Sequence, residues 1–254
     1  MIIAVDIGNT NIVIGGFNDN KILFRERVST NQTATDLEYA VTVKTALEMH
    51  NFKAEDVKGA VLSSVVPSVT NTFKRAVEKC FGVKTLVVGP GVKNGLSITI
   101  DNPKQLGSDL VVDAVAGLNE YPVPLIIVDM GTATTYSVID RNRNYIGGLI
   151  TTGMAVSADA LISRTSQLPK ISFEVPKKII GTNTVDCLKS GILYSNAAGM
   201  DGVIERIEEE LGEKCTVVAT GGLAGLVTPL CKRKIILDDD LLLKGLMIIY
   251  KKNM

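Results

Sequence analysis

The 254-residue sequence is poor in the residues on which several common chemistries depend. It contains one histidine, His50, no tryptophan and only 5% aromatic residues. A single histidine excludes a multi-histidine metal site within the chain and disfavours a Ser-His-Asp triad, and so few aromatic residues provide no stripe for stacking bases. We expect His50 to be a structural residue at the end of an amphipathic helix, where the helix dipole favours it.

Paired cysteines, net charge and long apolar runs are also missing. None of the four cysteines (Cys80, Cys187, Cys215, Cys231) forms a C-x-x-C pair, which predicts core thiols in a reducing compartment rather than a zinc or redox site. Lys+Arg and Asp+Glu are equal at 27 each, so the formal net charge is zero and gives no general attraction to nucleic acid or anionic membranes. No apolar run approaches the ~20 residues of a membrane span, and the N-terminal segment does not resemble a signal peptide. We therefore expect a cytoplasmic protein with no nucleic-acid or membrane partner.

The sequence contains an internal repeat. The N-terminal segment IIAVDIGNTNIVIGG resembles LIIVDMGTATTYSVI near the middle, and aligning Asp6 with Asp129 also aligns Gly8 with Gly131. Each copy consists of an apolar strand, an Asp-x-Gly turn, a β-branched strand, a polar turn and a third strand. Two unrelated hairpins that look alike by chance are the alternative, but an offset of about half the chain favours duplication of one α/β unit.

The rest of the pattern is also α/β. Pro67 begins a helix that a glycine ends, and residues 108–120 form a helix joining the two halves. Residues 89–107 are rich in glycine, proline and polar residues, which predicts a functional loop. We expect one lobe over residues 1–116 and a second over residues 117–254.

The Asp-x-Gly turns are the part of the sequence that indicates a ligand-binding site. The aspartate stands at the carboxyl end of a strand, where α/β proteins bind ligands, and the glycine permits a tight turn with positive φ. Backbone amides and hydroxyls there can cradle phosphate, and the carboxylate can hold a metal ion directly or through water. Candidate groups are Asp6, Asn9, Thr10 and Asn11 in the first turn, Asp129, Thr132, Thr134 and Thr135 in the second, and a third turn at Thr220-Gly221-Gly222.

Two copies of the turn predict a nucleotide held between two lobes. Neither G-x-x-x-x-G-K-[ST] nor G-x-G-x-x-G occurs in the sequence, so P-loop and dinucleotide folds are disfavoured. This combination indicates the duplicated ribonuclease-H-like fold of actin, sugar kinases and Hsp70 chaperones, with ATP in the cleft between the lobes.

The sequence resembles the type III pantothenate kinase family nearly from end to end. The motifs that carry the resemblance are DIGNTN at 6–11, SSVVP at 63–67, VGPGV at 88–92, NPKQLGSDL at 102–110, DMGTATT at 129–135, LP at 168–169, GTNT at 181–184, TGGLA at 220–224 and LLLKGLMIIY near the C-terminus. The family transfers the γ-phosphate of ATP to pantothenate, the first step towards coenzyme A.

The resemblance assigns the ATP side of the site. It implies that the first turn and the strand after it hold the ATP phosphates, through Asp6, Ile7, Gly8, Asn9, Thr10, Asn11, Ile12 and Val13. Thr132 of the second turn lies near ATP, with Mg²⁺ or a similar divalent cation as cofactor. The resemblance further implies that Asp129 ligates a monovalent cation, K⁺ or NH₄⁺.

The resemblance also assigns the pantothenate side. The family motif G-A-D-R grips pantothenate and supplies the base; here it reads Gly107-Ser108-Asp109-Leu110, which makes Asp109 the catalytic base. A helix-capping role for Ser108 or Asp109 is the alternative. Thr184 matches a threonine that contacts substrate across a homodimer interface, and we expect Ile192, Leu193, Ala197 and Ala198 to form an apolar dimer surface.

Three positions depart from the family pattern. Leu110 replaces the motif arginine, Ile100 aligns with a tyrosine of the pantothenate pocket, and Thr152-Gly153 stands where Pro-Gly is usual. Two alternatives to a pantothenate kinase therefore stay open: a diverged kinase for another small hydroxyl compound, and a nucleotide-binding transcriptional accessory factor. The run Asp238–Asp240 predicts a helix cap and solvated turn rather than a metal cluster.

Overall fold

The computed structural model describes residues 1–19 and 21–254. The chain divides into two compact units, which we call the first and second units. The first comprises Met1–Leu96, Asn102–Ala116 and Leu241–Met254, and the second comprises Ser97–Asp101 and Gly117–Asp240. The predicted lobes differ from these units in two short segments, residues 97–101 and residues 241–254.

The first unit is built on a sheet of five strands in the described residues, with the order β3-β2-β1-β4-β5. Strand β1 pairs antiparallel with β2 and parallel with β4, and its interior positions are fully buried because the sheet is covered on both faces. The strands are β1 (Ile2–Ile7), β2 (Asn11–Asn18), β3 (Lys21–Ser29), β4 (Gly59–Ser64) and β5 (Thr85–Val87).

The second unit repeats this arrangement. Its described strands follow the order β11-β10-β7-β8-β9-β6, and β7 pairs antiparallel with β8 and parallel with β10. Without the edge strand β6, the order matches that of the first sheet, which confirms the predicted duplication and the ribonuclease-H-like class. The strands are β6 (Ser97–Ile98), β7 (Leu125–Met130), β8 (Ala133–Ile139), β9 (Asn144–Thr152), β10 (Thr216–Thr220) and β11 (Ile236–Leu237).

Local sequence signals explain where the helices begin and end. Thr35 and Glu38 form a reciprocal capping box at the start of α1, Pro67 is the first residue of α2, and Gly82 ends α2 with φ +66°. The helices are α1 (Asp36–Met49), α2 (Pro67–Phe81), α3 (Ser108–Glu120), α4 (Met154–Ser163), α5 (Thr184–Leu211), α6 (Ala224–Val227) and α7 (Leu241–Lys252). No helix among the described residues is long and apolar enough to cross a bilayer.

Helix α7 belongs to the first unit because glycines make room for it there. Gly15 has no side chain where Leu243 packs, and a Cβ at Gly59 would collide with the Tyr250 hydroxyl. At the end of the helix, the Asn253 side chain accepts from the Lys93 amide at 3.1 Å and donates to the Lys93 carbonyl at 2.8 Å. These contacts attach α7 to the start of the predicted functional loop.

The structure places the single histidine and the four cysteines. His50 is the C-cap residue of α1, stacks on Phe24 with ring centroids 4.8 Å apart, and lies 2.8 Å from Glu26 Oε1. All four cysteines are free thiols, but Cys187 is exposed in the first turn of α5. The expectation of a core position is therefore wrong for Cys187.

Candidate active site

The first Asp-x-Gly turn closes the β1–β2 hairpin. The Gly8 amide donates to the Asn11 carbonyl at 3.0 Å, and a Cβ at Gly8 would approach that oxygen to 3.1 Å. The turn does not use positive φ, so the expectation was wrong on that point: close backbone approach is what favours glycine. Thr30, just after β3, supports the turn by donating its hydroxyl to the Gly8 carbonyl at 2.7 Å and its amide to Thr10 at 2.9 Å.

The predicted ATP-binding residues of this turn differ in accessibility. Asn9 and Thr10 are exposed at its tip, while Val13 is half-buried. The side chains of Ile7 and Ile12 are fully buried in the core of the first unit. These two residues can therefore present only backbone groups to a ligand.

The second Asp-x-Gly turn closes the β7–β8 hairpin and is one residue shorter than the first. The Gly131 amide donates to the Ala133 carbonyl at 3.0 Å, and the Gly153 amide donates to the Thr132 carbonyl at 3.1 Å. A Cβ at Gly153 would collide with that carbonyl, so this position requires glycine even though threonine replaces the usual proline before it. Thr132 is exposed at the tip.

The third glycine turn lies directly against the second. Gly221 has φ +95°, and a Cβ there would lie 2.5 Å from Asp129 Oδ1 and 2.7 Å from the Met130 amide nitrogen. The neighbouring Thr220 pairs with Asp129 in the β7–β10 register. The third glycine turn therefore packs closely beside the Asp129 carboxylate, where a side chain at Gly221 would not fit.

Equivalent residues occupy equivalent positions in the two sheets. Asp6 is opposite Ser63 in the parallel β1–β4 pairing, and Asp129 is opposite Thr220 in the β7–β10 pairing. Both hydroxyl residues are buried, at 0% and 5% exposure. Sequence reasoning missed this match, although each hydroxyl residue stands at the end of an apolar run.

Two threonines of DMGTATT lie away from the turn tip. Thr134 is buried and Thr135 is half-buried, and neither hydroxyl has a hydrogen-bond partner within the described part of the chain. Thr134 instead lines a depression of about 320 Å³ beside Met130 and Tyr136. A role of either hydroxyl as a phosphate ligand stays a prediction.

Asp109 lies in the first turn of α3, in the first unit. Burial raises the pKa of its carboxyl group above the ordinary value, although the Leu110 amide donates to Oδ1 at 2.9 Å and acts in the opposite direction. A Cβ at Gly107 would collide with Oδ1, so glycine makes room for the carboxylate. A partly buried carboxylate with a raised pKa is suited to accept a proton near neutral pH.

The helix-capping alternative receives limited support. The Gly107 carbonyl accepts the Val111 amide at 3.1 Å, which places Gly107 in the cap position. Ser108 turns its hydroxyl towards β4, where it donates to the Ser64 carbonyl at 3.0 Å. Asp109 accepts the Leu110 amide of the first turn, and this local bond is compatible with the predicted role of Asp109 as a base.

The remaining predicted substrate residues lie in the second unit. Ile100 is half-buried in Ser97–Asp101, the segment that pairs with β9 through β6. Thr184 is the first residue of α5 and is exposed. The residue before it, Asn183, caps the helix by accepting the Asp186 amide at 2.9 Å.

The acidic run Asp238–Asp240 lies just before α7. Asp238 is 7% exposed and accepts the Tyr121 hydroxyl at 2.7 Å, so the expected solvated turn is wrong for this residue. No group of three or more His, Cys, Asp or Glu side chains suited to a metal occurs in residues 1–19 and 21–254.

Comparison with known proteins identifies the family. Residues 2–206 match the family model for type III pantothenate kinase. The chain belongs to the type III pantothenate kinase family. A type III pantothenate kinase from Bacillus cytotoxicus is 44% identical over 253 residues, which cover 100% of this chain and 97% of that protein.

Solved structures with the same fold include two of similar length to this type III pantothenate kinase family member. A Baf family transcriptional activator from Campylobacter jejuni has a TM-score of 0.57 at 20% identity, covering 99% of this chain and 98% of that one. Component A of (R)-2-hydroxyglutaryl-CoA dehydratase from Acidaminococcus fermentans also has a TM-score of 0.57, at 16% identity, covering 100% and 99%. At these identities the similarity concerns the fold alone.

Proposed function

We propose that the protein transfers the γ-phosphoryl group of ATP to the hydroxyl of pantothenate, forming 4'-phosphopantothenate. The observation that carries this proposal is the pair of Asp-x-Gly turns at matching strand ends of two duplicated sheets, in a chain of this family. A coupled assay of ADP release with ATP, Mg²⁺, K⁺ and pantothenate tests it. Release that depends on pantothenate is expected; ATP binding without release would favour the accessory-factor alternative.

The turns fit a nucleotide because they present groups that bind phosphate. Asn9, Thr10 and Thr132 are exposed at the two tips, where their amide and hydroxyl groups can donate to phosphate oxygens. In the proposal, the first turn and Thr132 hold ATP. The divalent cation that accompanies ATP supplies charge neutralisation during transfer.

Asp109 is the proposed base. Its carboxylate accepts the proton of the attacking pantothenate hydroxyl while that oxygen forms the new bond to phosphorus and ADP leaves. In phosphoryl transfer, positioning and charge stabilisation contribute most of the rate, so Asp109 acts chiefly by aligning the hydroxyl and removing its proton at the right moment.

A monovalent cation at Asp129 should make activity depend on K⁺ or NH₄⁺. We expect Asp129→Asn to lower kcat by tenfold or more, since it removes the charge that attracts the cation. Rates are measured in K⁺, NH₄⁺ and Na⁺, with Asp159→Asn, an exposed aspartate on α4, as the matched control. Equal rates in Na⁺ and K⁺ together with a fully active Asp129→Asn would contradict this role.

The homodimer proposal needs a different surface from the one predicted. Leu193 and Ala197 are buried in the core of the second unit, so they cannot form an interface. Exposed apolar side chains occur instead on β9, on α4 and before α5: Leu149, Ile150, Val156, Leu161, Val175, Ile179 and Ile180. On α5, no described atom outside the helix's own backbone lies within 4 Å of a Cβ built on Gly191 or Gly199, so a second helix could approach closely there.

Light scattering at micromolar concentration should therefore give the mass of a dimer. Ile150 is 76% exposed, and Ile150→Asp should shift the mass towards the monomer because a charge would be buried in the interface. Met49→Asp, at a 68% exposed position of the first unit, is the control. A monomeric wild-type protein would count against the dimer and against a shared role for Thr184.

Leu110 and Ile100 favour one further candidate, a kinase for another small hydroxyl compound. Both positions carry apolar residues where the family resemblance implies an arginine and a tyrosine. The loss of a charged donor weakens recognition of the pantothenate carboxylate, because charge-assisted hydrogen bonds are the stronger ones.

Leu110→Arg distinguishes the two candidates. For a pantothenate kinase, the added guanidinium should lower KM for pantothenate about threefold to thirtyfold and leave KM for ATP unchanged. Steady-state kinetics with each substrate varied in turn provide the measurement, and Leu110→Met is the uncharged control. If Leu110→Arg leaves KM for pantothenate unchanged or raises it, the result favours a kinase for another small hydroxyl compound.

A further inference from the structure

A cluster of hydroxyl groups joins the end of β4 to the start of α3 in the first unit. Ser108 Oγ lies 3.1 Å from Ser63 Oγ, 3.0 Å from the Ser64 carbonyl oxygen and 3.2 Å from the Ser64 amide nitrogen. The Ser64 hydroxyl accepts in turn from Thr70 at 2.8 Å and from the Val66 amide at 3.1 Å. The cluster therefore connects the SSVVP segment with the residue next to Asp109.

The hydrogen positions in this cluster follow from counting. A serine hydroxyl has one hydrogen to donate and two lone pairs to accept with. Ser108 donates to the Ser64 carbonyl, so the Ser63 hydroxyl must be the donor to Ser108, and the Ser64 amide uses the second lone pair. Every bonding position of the Ser108 hydroxyl is then used within the protein, which leaves it no hydrogen for a substrate.

Because Ser63 is buried, its hydroxyl needs a hydrogen-bond partner within the protein. Ser63 has 0% exposure near the end of β4, and a buried hydroxyl is costly unless it is hydrogen-bonded. Ser108 meets this requirement across 45 residues of sequence. The pair therefore holds the first residue of α3 against the sheet.

The cap residue of α3 is a glycine, so the cap position itself supplies no side-chain hydrogen bond to the first turn. Gly107 occupies the cap position, and its missing Cβ leaves the space that the Asp109 carboxylate takes. Ser108 supplies the hydrogen bonds that join the first residue of α3 to β4. A small rotation there would move the carboxylate, and a displacement of about 1 Å can cost about a hundredfold in rate.

We propose that Ser108 is a positioning residue that, bonded to Ser63 and Ser64, fixes the first turn of α3 and with it the Asp109 carboxylate. This inference rests on the proposed function, because the orientation of Asp109 matters only if Asp109 accepts the substrate proton. It also changes the expected role of Ser108 from substrate contact to support of the base.

Ser108→Ala, Ser63→Ala and the double variant test the inference. We expect Ser108→Ala to lower kcat about tenfold to a hundredfold with KM for ATP unchanged, and Ser63→Ala to lower it less. The double variant should be no slower than Ser108→Ala, since both changes remove one shared interaction. Ser68→Ala, an exposed serine on α2, is the matched control.

The pH profile separates positioning from general stabilisation. Loosening the turn admits water to Asp109, so the acid limb of the kcat profile should move to lower pH in Ser108→Ala. If Ser108→Ala does not fold, Ser63→Ala, which leaves Ser108 bonded to Ser64, provides the same readouts.

Wild-type kcat and an unmoved acid limb in these variants would overturn the inference. So would a fall in melting temperature with no change in kcat. Failure of the proposed function has a different signature: the wild-type protein itself would release no ADP in response to pantothenate. An inactive Asp109→Asn beside a fully active Ser108→Ala overturns the positioning role alone.

Discussion

Asp109→Asn is expected to lower kcat for pantothenate phosphorylation by about 10²–10⁴-fold, the usual contribution of a general base. Asparagine keeps the size of the side chain and its ability to accept the Leu110 amide, but it cannot take a proton. KM for ATP should stay near the wild-type value. Initial rates at saturating substrates and nucleotide binding by titration calorimetry provide the measurements.

The same variant should not be less stable than the wild type. Burial raises the pKa of the folded Asp109 carboxyl, so its contribution to stability is present below the unfolded pKa and is lost as pH rises through the folded value. At neutral pH the ionised carboxylate is therefore unfavourable in the folded state, and the melting temperature of Asp109→Asn should equal or exceed that of the wild type.

Wild-type kcat should fall on the acid side at a pH above the ordinary range of aspartate, because the base must be ionised to act. The control for the substitution is Glu120→Gln, an exposed residue at the other end of α3, which should keep full activity. If Asp109→Asn changes KM for pantothenate but not kcat, Asp109 is a binding group rather than the base.

Glu208→Gln is expected to destabilise the second unit by about 3 kcal/mol. Glu208 is buried on α5 and accepts from Arg233 at 2.6 Å, from Lys214 at 2.8 Å and from the Cys215 amide at 3.0 Å. Burial alone would raise its pKa, but these hydrogen bonds outweigh burial and lower the pKa to about 2. Glutamine leaves the half-buried Arg233 guanidinium without its counter-charge.

The pH dependence of this effect has a definite sign. A carboxyl group with a lowered folded pKa stabilises the protein above its unfolded pKa of 4.5 and loses that contribution as pH falls towards 2. Melting temperature at pH 7 should fall by roughly 6–12 °C, and the difference should shrink with acid. Glu209→Gln, exposed on the same helix, is the control. Equal melting temperatures of Glu208→Gln and the wild type would contradict the contribution.

Local patterns in the sequence were enough to predict the duplicated units and both Asp-x-Gly turns. An apolar run followed by a glycine turn specifies a strand and hairpin whatever lies elsewhere, and the structure pairs β1 with β2 and β7 with β8 in the same way. Helix ends such as Pro67 and Gly82 depend on neighbouring residues only, so they too were predicted correctly. The positive φ expected at Gly8 was wrong because a glycine also suits a turn through close backbone approach.

The contacts between distant segments were decided by the tertiary structure alone. Ser63 and Ser108 are 45 residues apart, and Glu208 and Arg233 are 25 apart, so no local pattern marks either pair as partners. The side of α5 that faces the core likewise depends on the sheet it packs against, which is why Leu193 was taken for a surface residue. A side chain's partner is chosen by how whole elements pack, whereas a turn or a helix end is chosen by the few residues that form it.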